Sequence, residues 1–251
     1  MKELVRIDDE MITEEDFILH LKLNHQFLPL LESMIKDKVT IHAAKKRKLE
    51  TTVEEMQKTA DDFRLTLGLH RAQDTYEWLE RLGISVDQFE NFINEQLLKS
   101  QMIKVVTPKA AVEEYFKLNS PKFDNVDIYR IVTDSEDKAK EVVALLEESP
   151  DSVDEILEEF SSEEQSQGEC KKMYAVGRDQ LEDEISAKVF SANVGDVLGP
   201  FQMKGQALYE VVLVVDNHPA ELSEAVRNQI VKTIYNDWLQ KRFEDHSVTL
   251  V

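Results

Sequence analysis

Cys170 is the single thiol in the chain. It follows Gly168-Glu169 and precedes Lys171-Lys172, cations that lower a thiol pKa, but no histidine stands near it in sequence to act as a base. It reads as an inert loop cysteine. His20 and His25 are five residues apart and miss the i, i+4 spacing that sets two ligands on one helical face, so no metal site is expected. No glycine-rich phosphate loop appears, and no cofactor is expected. The remaining candidates are apolar side chains and carboxylates. Met173, Leu181, Ile185 and Phe190 recur at strand and helix spacing, which taken alone is the pattern of a core. Glu163 stands among Glu158, Glu159 and Glu164, a run that taken alone reads as solvated. Arg130 sits in a β-branched run, where its simplest role is to pair with a carboxylate.

The elements that must position these residues change character along the chain. Residues 13–119 read as successive amphipathic helices, with Phe17, Leu21 and His25 at i+4 and Phe27, Leu31 and Ile35 likewise. Thr52 with Glu55 and Ser85 with Gln88 have capping-box spacing, Thr107-Pro108 marks a further start, and Gly68 and Gly83 mark breaks. The turn-rich stretch Asn119-Ser-Pro-Lys-Phe-Asp-Asn125 leads into a predicted strand over 126–133. Predicted helices follow near 135–148 and 153–160, then a strand over 173–176, a helix near 180–191, and strands over 198–202 and 207–215. This order describes a compact α/β unit with helices on a small, largely antiparallel sheet. Beyond Pro219, Leu222, Val226, Ile230, Ile234 and Trp238 follow one another at i+4, a long helix expected to return onto the N-terminal helices and bury its stripe there. The expected class is α+β, in three segments: 1–119, 120–216 and 217–251.

With 42% hydrophobic and 32% charged residues the chain is suited to a folded, highly soluble protein. The formal charge of −20 repels phosphate backbones, so nucleic acid is disfavoured and partners should be neutral or basic. Residues 120–216 hold 23 acidic and 9 basic side chains, so −14 of the −20 resides there. The opening Met1-Lys-Glu-Leu-Val-Arg-Ile-Asp-Asp9 lacks the apolar run of roughly 7 to 15 residues of a secretory signal, and nothing later approaches a membrane span. With one cysteine no internal disulfide forms, and a cytoplasmic location is expected.

Three stretches together carry a resemblance. They are Phe160-Ser-Ser-Glu-Glu-Gln-Ser-Gln-Gly168, Met173-Tyr-Ala-Val-Gly-Arg-Asp-Gln-Leu181, and Val189-Phe-Ser-Ala-Asn-Val-Gly-Asp-Val-Leu-Gly-Pro-Phe201. In this order they resemble the parvulin family of peptidyl-prolyl isomerases over about residues 120–216. The remainder resembles the SurA and PrsA type of parvulin chaperone, through Val5-Arg-Ile-Asp-Asp-Glu-Met-Ile-Thr-Glu-Glu-Asp-Phe17, Ile84-Ser-Val-Asp-Gln-Phe-Glu-Asn-Phe92 and the helix order. The resemblance implies a helical chaperone body, formed by N-terminal helices and a C-terminal helix, around an inserted isomerase domain. It also implies an unfolded or proline-containing polypeptide as partner.

An X–Pro bond prefers trans by only about 0.5–1 kcal/mol, yet rotation meets a barrier of about 18–20 kcal/mol. Catalysis therefore needs no covalent step, only an apolar socket for the pyrrolidine ring and polar groups that favour the twisted amide. By the resemblance Met173, Leu181 and Ile185 occupy the socket, Phe190 supports them, and Glu163 takes the acid or thiol position near the amide. Parvulins commonly carry histidines on the first and last strands of the domain. Here Arg130 (or Tyr129) and Glu210 (or Tyr209) stand at those positions, and all six histidines lie outside 121–216. The expected activity is peptidyl-prolyl isomerisation with chaperone binding. The alternative is a catalytically impaired parvulin acting as a peptide-binding chaperone or adaptor.

Overall fold

A computed structural model describes residues 3–148, 153, 155 and 169–245. A hairpin of β1 (Glu3–Ile7) and β2 (Glu10–Thr13) leads into α1 (Glu14–Leu23), α2 (Phe27–Lys46), α3 (Val53–Thr66), α4 (Ala72–Leu82), α5 (Val86–Val106) and α6 (Lys109–Asn119). Then come β3 (Asn125–Thr133), α7 (Glu136–Glu148), β4 (Glu169–Gly177), α8 (Asp183–Val189), β5 (Val197–Gln202), β6 (Tyr209–His218) and α9 (Glu224–Asp245). The class is α+β. The sequence-predicted helix near 153–160 falls mostly outside the described residues. Contacts divide the chain into one unit of Met1–Val112 with Ile230–Val251 and a second of Glu113–Gln229, and both boundaries run through helices, α6 and α9.

In the helical unit the starts obey local chemistry. Thr13, Thr52 and Ser85 each cap a helix while Asp16, Glu55 and Gln88 reach back to the cap's own N–H, so two orphan donors are satisfied at each start. Gly83 ends α4 at φ 66°, a left-handed conformation open to glycine at little cost. Thr107 departs from its expected role as a helix start: its hydroxyl donates to the Ile103 carbonyl and finishes α5, while Pro108 supplies the carbonyl that opens α6.

Ile41 and Ala44 of α2 pack on Leu98 and Met102 of α5, and Trp238 of α9 closes the cluster. Lys38–Glu95 at 2.7 Å and Lys99–Asp37 at 2.6 Å flank this contact. The fully buried Thr40 donates its hydroxyl to the Lys36 carbonyl at 2.8 Å, so the 2.6 Å contact with Tyr235 must be donated by the phenol. Burial also raises the Tyr235 pKa above the usual phenol range, which keeps that proton in place. Tyr235→Phe should cost about 1 kcal/mol in urea unfolding, because Thr40 keeps one bond and loses the other. No change in midpoint would refute the assignment.

The i+4 stripe of α1 does not bury as a core face would. Phe17 is 51% exposed and Leu21 only half-buried, and Val5 and Ile7 of β1 are open as well.

The second unit is a four-stranded antiparallel sheet in the order β4-β3-β6-β5. Strand alternation gives it two apolar faces. Ile131, Val211 and Leu213 meet α7 through Ala139, Val142 and Leu146. On the other face Val126, Ile128, Val212 and Val214 meet Ile185 and Val189 of α8.

Candidate functional site

The second face carries the candidate socket. Met173, Leu181 and Phe190 pack half-buried against its edge, and Ile185, 6% exposed, lies within the core cluster. The sequence-derived trio is therefore one floor residue, Ile185, with two partly open residues, Met173 and Leu181, at its rim. Met173 faces Ile128 across β3 and β4.

The turn that delivers Leu181 explains the Arg-x-Gln-Leu step. Gln180 Oε1 accepts the Gly177 N–H at 2.8 Å, closing the turn after β4. Arg178 donates Nε to the Pro121 carbonyl at 2.7 Å and stacks its guanidinium 4.1 Å from the Phe190 ring centroid. One cation thus ties the start of the unit to the aromatic that backs the socket. In sequence Arg178 and Gln180 stand out only as family markers, and their positioning role is missed there.

Alternation separates the two pairs of strand candidates. Arg130 is two residues from Ile128, and Glu210 is two from Val212, so both point to the socket face. Their side chains form a forked pair, Nε to Oε1 at 2.8 Å and Nη2 to Oε2 at 3.1 Å. Val132 pairs with Glu210 and Arg130 with Val212, which makes the two charges diagonal neighbours within reach of long side chains. Glu210 is buried, with its side chain 5% exposed against 28% for Arg130. Gly199 is part of this placement: at φ 126° a Cβ there would lie 2.8 Å from the Glu210 carbonyl oxygen, so β5 approaches β6 only where residue 199 has no side chain.

Tyr129 and Tyr209 pack instead with the α7 face, and Lys172 lies 4.9 Å from the Tyr129 ring centroid. The structure does not bring either tyrosine together with the socket, because a one-residue step along a strand reverses the face. Glu163 lies outside the described residues.

β6 runs three residues beyond its predicted end, and this places His218 in the sheet opposite Asn125. The polar Asp216-Asn217-His218 reads as a loop in sequence, but β3 extends far enough to pair with all three. His218 Nε2 lies 3.2 Å from Asp127 Oδ1, which also accepts the Ala175 N–H at 2.7 Å. Asp127 stands at a register shift in β3, and Ala175 has φ 50°, so the carboxylate clips the irregular segment of β4 just after Met173. Eight residues along β6 separate His218 from Glu210, about 26 Å, so this histidine belongs to a different place on the sheet.

The Ala175 N–H bond, reinforced by His218, holds the Asp127 pKa below the usual carboxylate range, against a smaller opposing effect of burial. A depressed folded pKa gives stability that is present above the unfolded value and lost as pH falls through the folded one. The wild type should therefore lose more stability than Asp127→Asn on acidification from pH 5 to pH 2, read by urea titration at each pH. Parallel curves would remove the clip.

Among the described residues no group of three or more histidine, cysteine or acidic side chains is arranged to hold a metal ion, and no helix is long and apolar enough to cross a membrane.

No curated protein matches the chain. Among solved structures it is similar to peptidylprolyl isomerase PrsA from Bacillus cereus, at 17% identity and TM-score 0.49 over 99% of this chain and 93% of that one. It is also similar to PrsA from Bacillus anthracis, at 15% identity and TM-score 0.40 over 88% and 99%. A third is from the work on PEB4 and Cj1289, described as SurA-like chaperones in Campylobacter jejuni, at 14% identity and TM-score 0.26 over 98% and 94%. Residues 107–227 match the model of the PPIC-type PPIase domain, a span that holds the whole four-stranded sheet, α7, α8, the apolar socket residues and the Arg130–Glu210 pair. Residues 107–227 thus form a domain of the PPIC-type, or parvulin, peptidyl-prolyl isomerase kind.

Proposed function

We propose that this protein binds proline-containing segments of unfolded or precursor polypeptides and accelerates rotation about their X–Pro bonds. The observation that carries the reading is the convergence of Met173, Leu181 and Ile185, backed by Phe190, with the Arg130–Glu210 pair on one face of the sheet. The apolar trio seats the pyrrolidine ring. The ion pair presents fixed charge beside it, where a twisted amide, with its more localised carbonyl and nitrogen charges, gains more than either planar form. No bond other than the rotating one changes, so the histidines usual in the family are not needed for proton transfer. Glu163 is assigned to the amide by family position alone. The helical unit holds apolar segments of the same client, in keeping with the open apolar side chains of β1 and α1.

A second reading has its own support. Arg130 and Glu210 satisfy each other in a fork, an arrangement that also suits a rigid peptide clamp without turnover. A protease-free isomerisation assay on an X–Pro peptide separates the two, with Met173→Ala and Glu163→Ala as comparisons. Rate enhancement that falls in Met173→Ala supports the catalyst. A wild-type rate at background discards it and leaves the clamp, which suppression of client aggregation then tests.

The charge of −20 should make basic peptides bind more tightly than acidic ones, with the difference shrinking as salt rises. Equal affinity for both across a salt titration would remove that preference.

A further inference from the structure

Two concavities lie side by side between α3 and α5 in the helical unit. One, about 330 Å³, has an apolar floor of Met56, Ala60, Phe89 and Ile93. The other, about 450 Å³, is lined by Asp87, Glu90, Asn91 and Asn94. They share Thr51, Met56 and Glu90, so an apolar slot opens directly beside an anionic one.

The arrangement follows from the spacing on α5. Asp87, Glu90, Asn91 and Asn94 recur at i, i+3, i+4 and i+7 and form one polar stripe, while Phe89 and Ile93 at i+4 form the stripe next to it. Thr51 fixes the wall between the slots by donating its hydroxyl to Asn94 Oδ1 at 2.9 Å. Phe89 is held from behind by Phe63 at 5.7 Å and Trp78 at 6.4 Å between ring centroids, so the apolar floor is braced rather than collapsible. No lysine or arginine lines either slot, and neither Asp87 nor Glu90 makes an ion pair among the described residues.

We propose that this double slot is a peptide subsite that takes an apolar side chain and an adjacent lysine or arginine of an extended polypeptide. The apolar residue fills the Met56–Phe89 slot. The neighbouring cation, whose side chain points the other way along an extended segment, reaches the carboxylates of Asp87 and Glu90 and the amide oxygens beside them. Charge complementarity selects this occupant: an acidic segment meets repulsion at Glu90, and a purely apolar one leaves the acid slot unmatched. The inference rests on the reading that this protein handles unfolded polypeptides, and it adds a second, proline-independent point of attachment.

The test uses the full chain and fluorescently labelled, proline-free peptides of about eight residues in a glycine and serine background, carrying Leu-Lys, Leu-Glu or Leu-Ser. Fluorescence anisotropy should show the Leu-Lys peptide binding at least about fivefold more tightly than the other two at low salt, a span suited to two exposed charge contacts. Asp87→Asn with Glu90→Gln, both exposed and remote from the helical core, should bring Leu-Lys down to the affinity of Leu-Ser. Ala60→Phe, which fills the apolar slot, should weaken Leu-Lys and Leu-Ser together by about tenfold. Met173→Ala should change none of these values. Equal affinity for Leu-Lys and Leu-Glu overturns the proposal, as does an unchanged Leu-Lys preference in the Asp87→Asn/Glu90→Gln protein. Loss of binding in Met173→Ala would also overturn it, by placing the peptide on the sheet. Because these peptides contain no proline, a negative isomerisation assay leaves the outcome here unaffected, and the reverse holds.

Discussion

Arg130→Met is expected to destabilise the unit of Glu113–Gln229 by about 3 kcal/mol, seen as a fall of about 10–15 °C in its melting temperature. Glu210 is the cause. Its side chain is 5% exposed, and the forked guanidinium provides two of its hydrogen bonds. Removal of the cation leaves a buried carboxylate in a site built for an ion pair, with its desolvation no longer offset. Replacement of both partners by apolar residues, Arg130→Met with Glu210→Leu, should recover most of the stability, since burying a matched pair gains little over a well-packed apolar pair. A single variant as stable as the wild type at pH 7 would show that the pair does not hold the sheet.

The largest effect on activity is expected from Met173→Ala combined with Leu181→Ala. Each truncation removes a half-open apolar wall worth about 1.4 kcal/mol to a seated pyrrolidine ring, near half the value of a fully buried side chain. The two together should lower kcat/KM for an X–Pro peptide about a hundredfold, since each 1.36 kcal/mol is a factor of ten. Stability should move much less than after Ile185→Ala, because Ile185 is 6% exposed and within the core, whereas Met173 and Leu181 pack on its edge. That contrast separates socket from scaffold. A double variant that keeps its kcat/KM, or one that loses activity only in proportion to unfolding, would end the assignment of the proline site to this face.

Part of the candidate site is legible in the amino-acid order alone. The succession of motifs from Phe160 to Phe201 marks the domain, and the trio at 173, 181 and 185 does converge with Phe190 on one apolar cluster. The Thr52 and Ser85 capping boxes form as their spacing requires, because a capping box closes through three residues and consults nothing further away. The exposed face of α1 shows the opposite case. Its periodicity marks an apolar stripe but names no partner for it, and Phe17 remains 51% exposed.

Helix starts, strand runs, the −20 balance and the motif order of the isomerase-type domain are readable along the linear chain, since none of them depends on which distant residues meet. Which of Arg130 and Tyr129, and which of Glu210 and Tyr209, shares a sheet face with the apolar trio depends on long-range strand pairing. Each choice differs by one step along a strand, and which step faces the socket is set by pairing across β3 and β6 and by the register shift near Asp127. Tertiary pairing also carried β6 on to His218, and it brought Thr51 into a hydrogen bond with Asn94, 43 residues apart. Long-range pairing leaves no trace in local propensity, and for that reason these features could not be read from the chain alone.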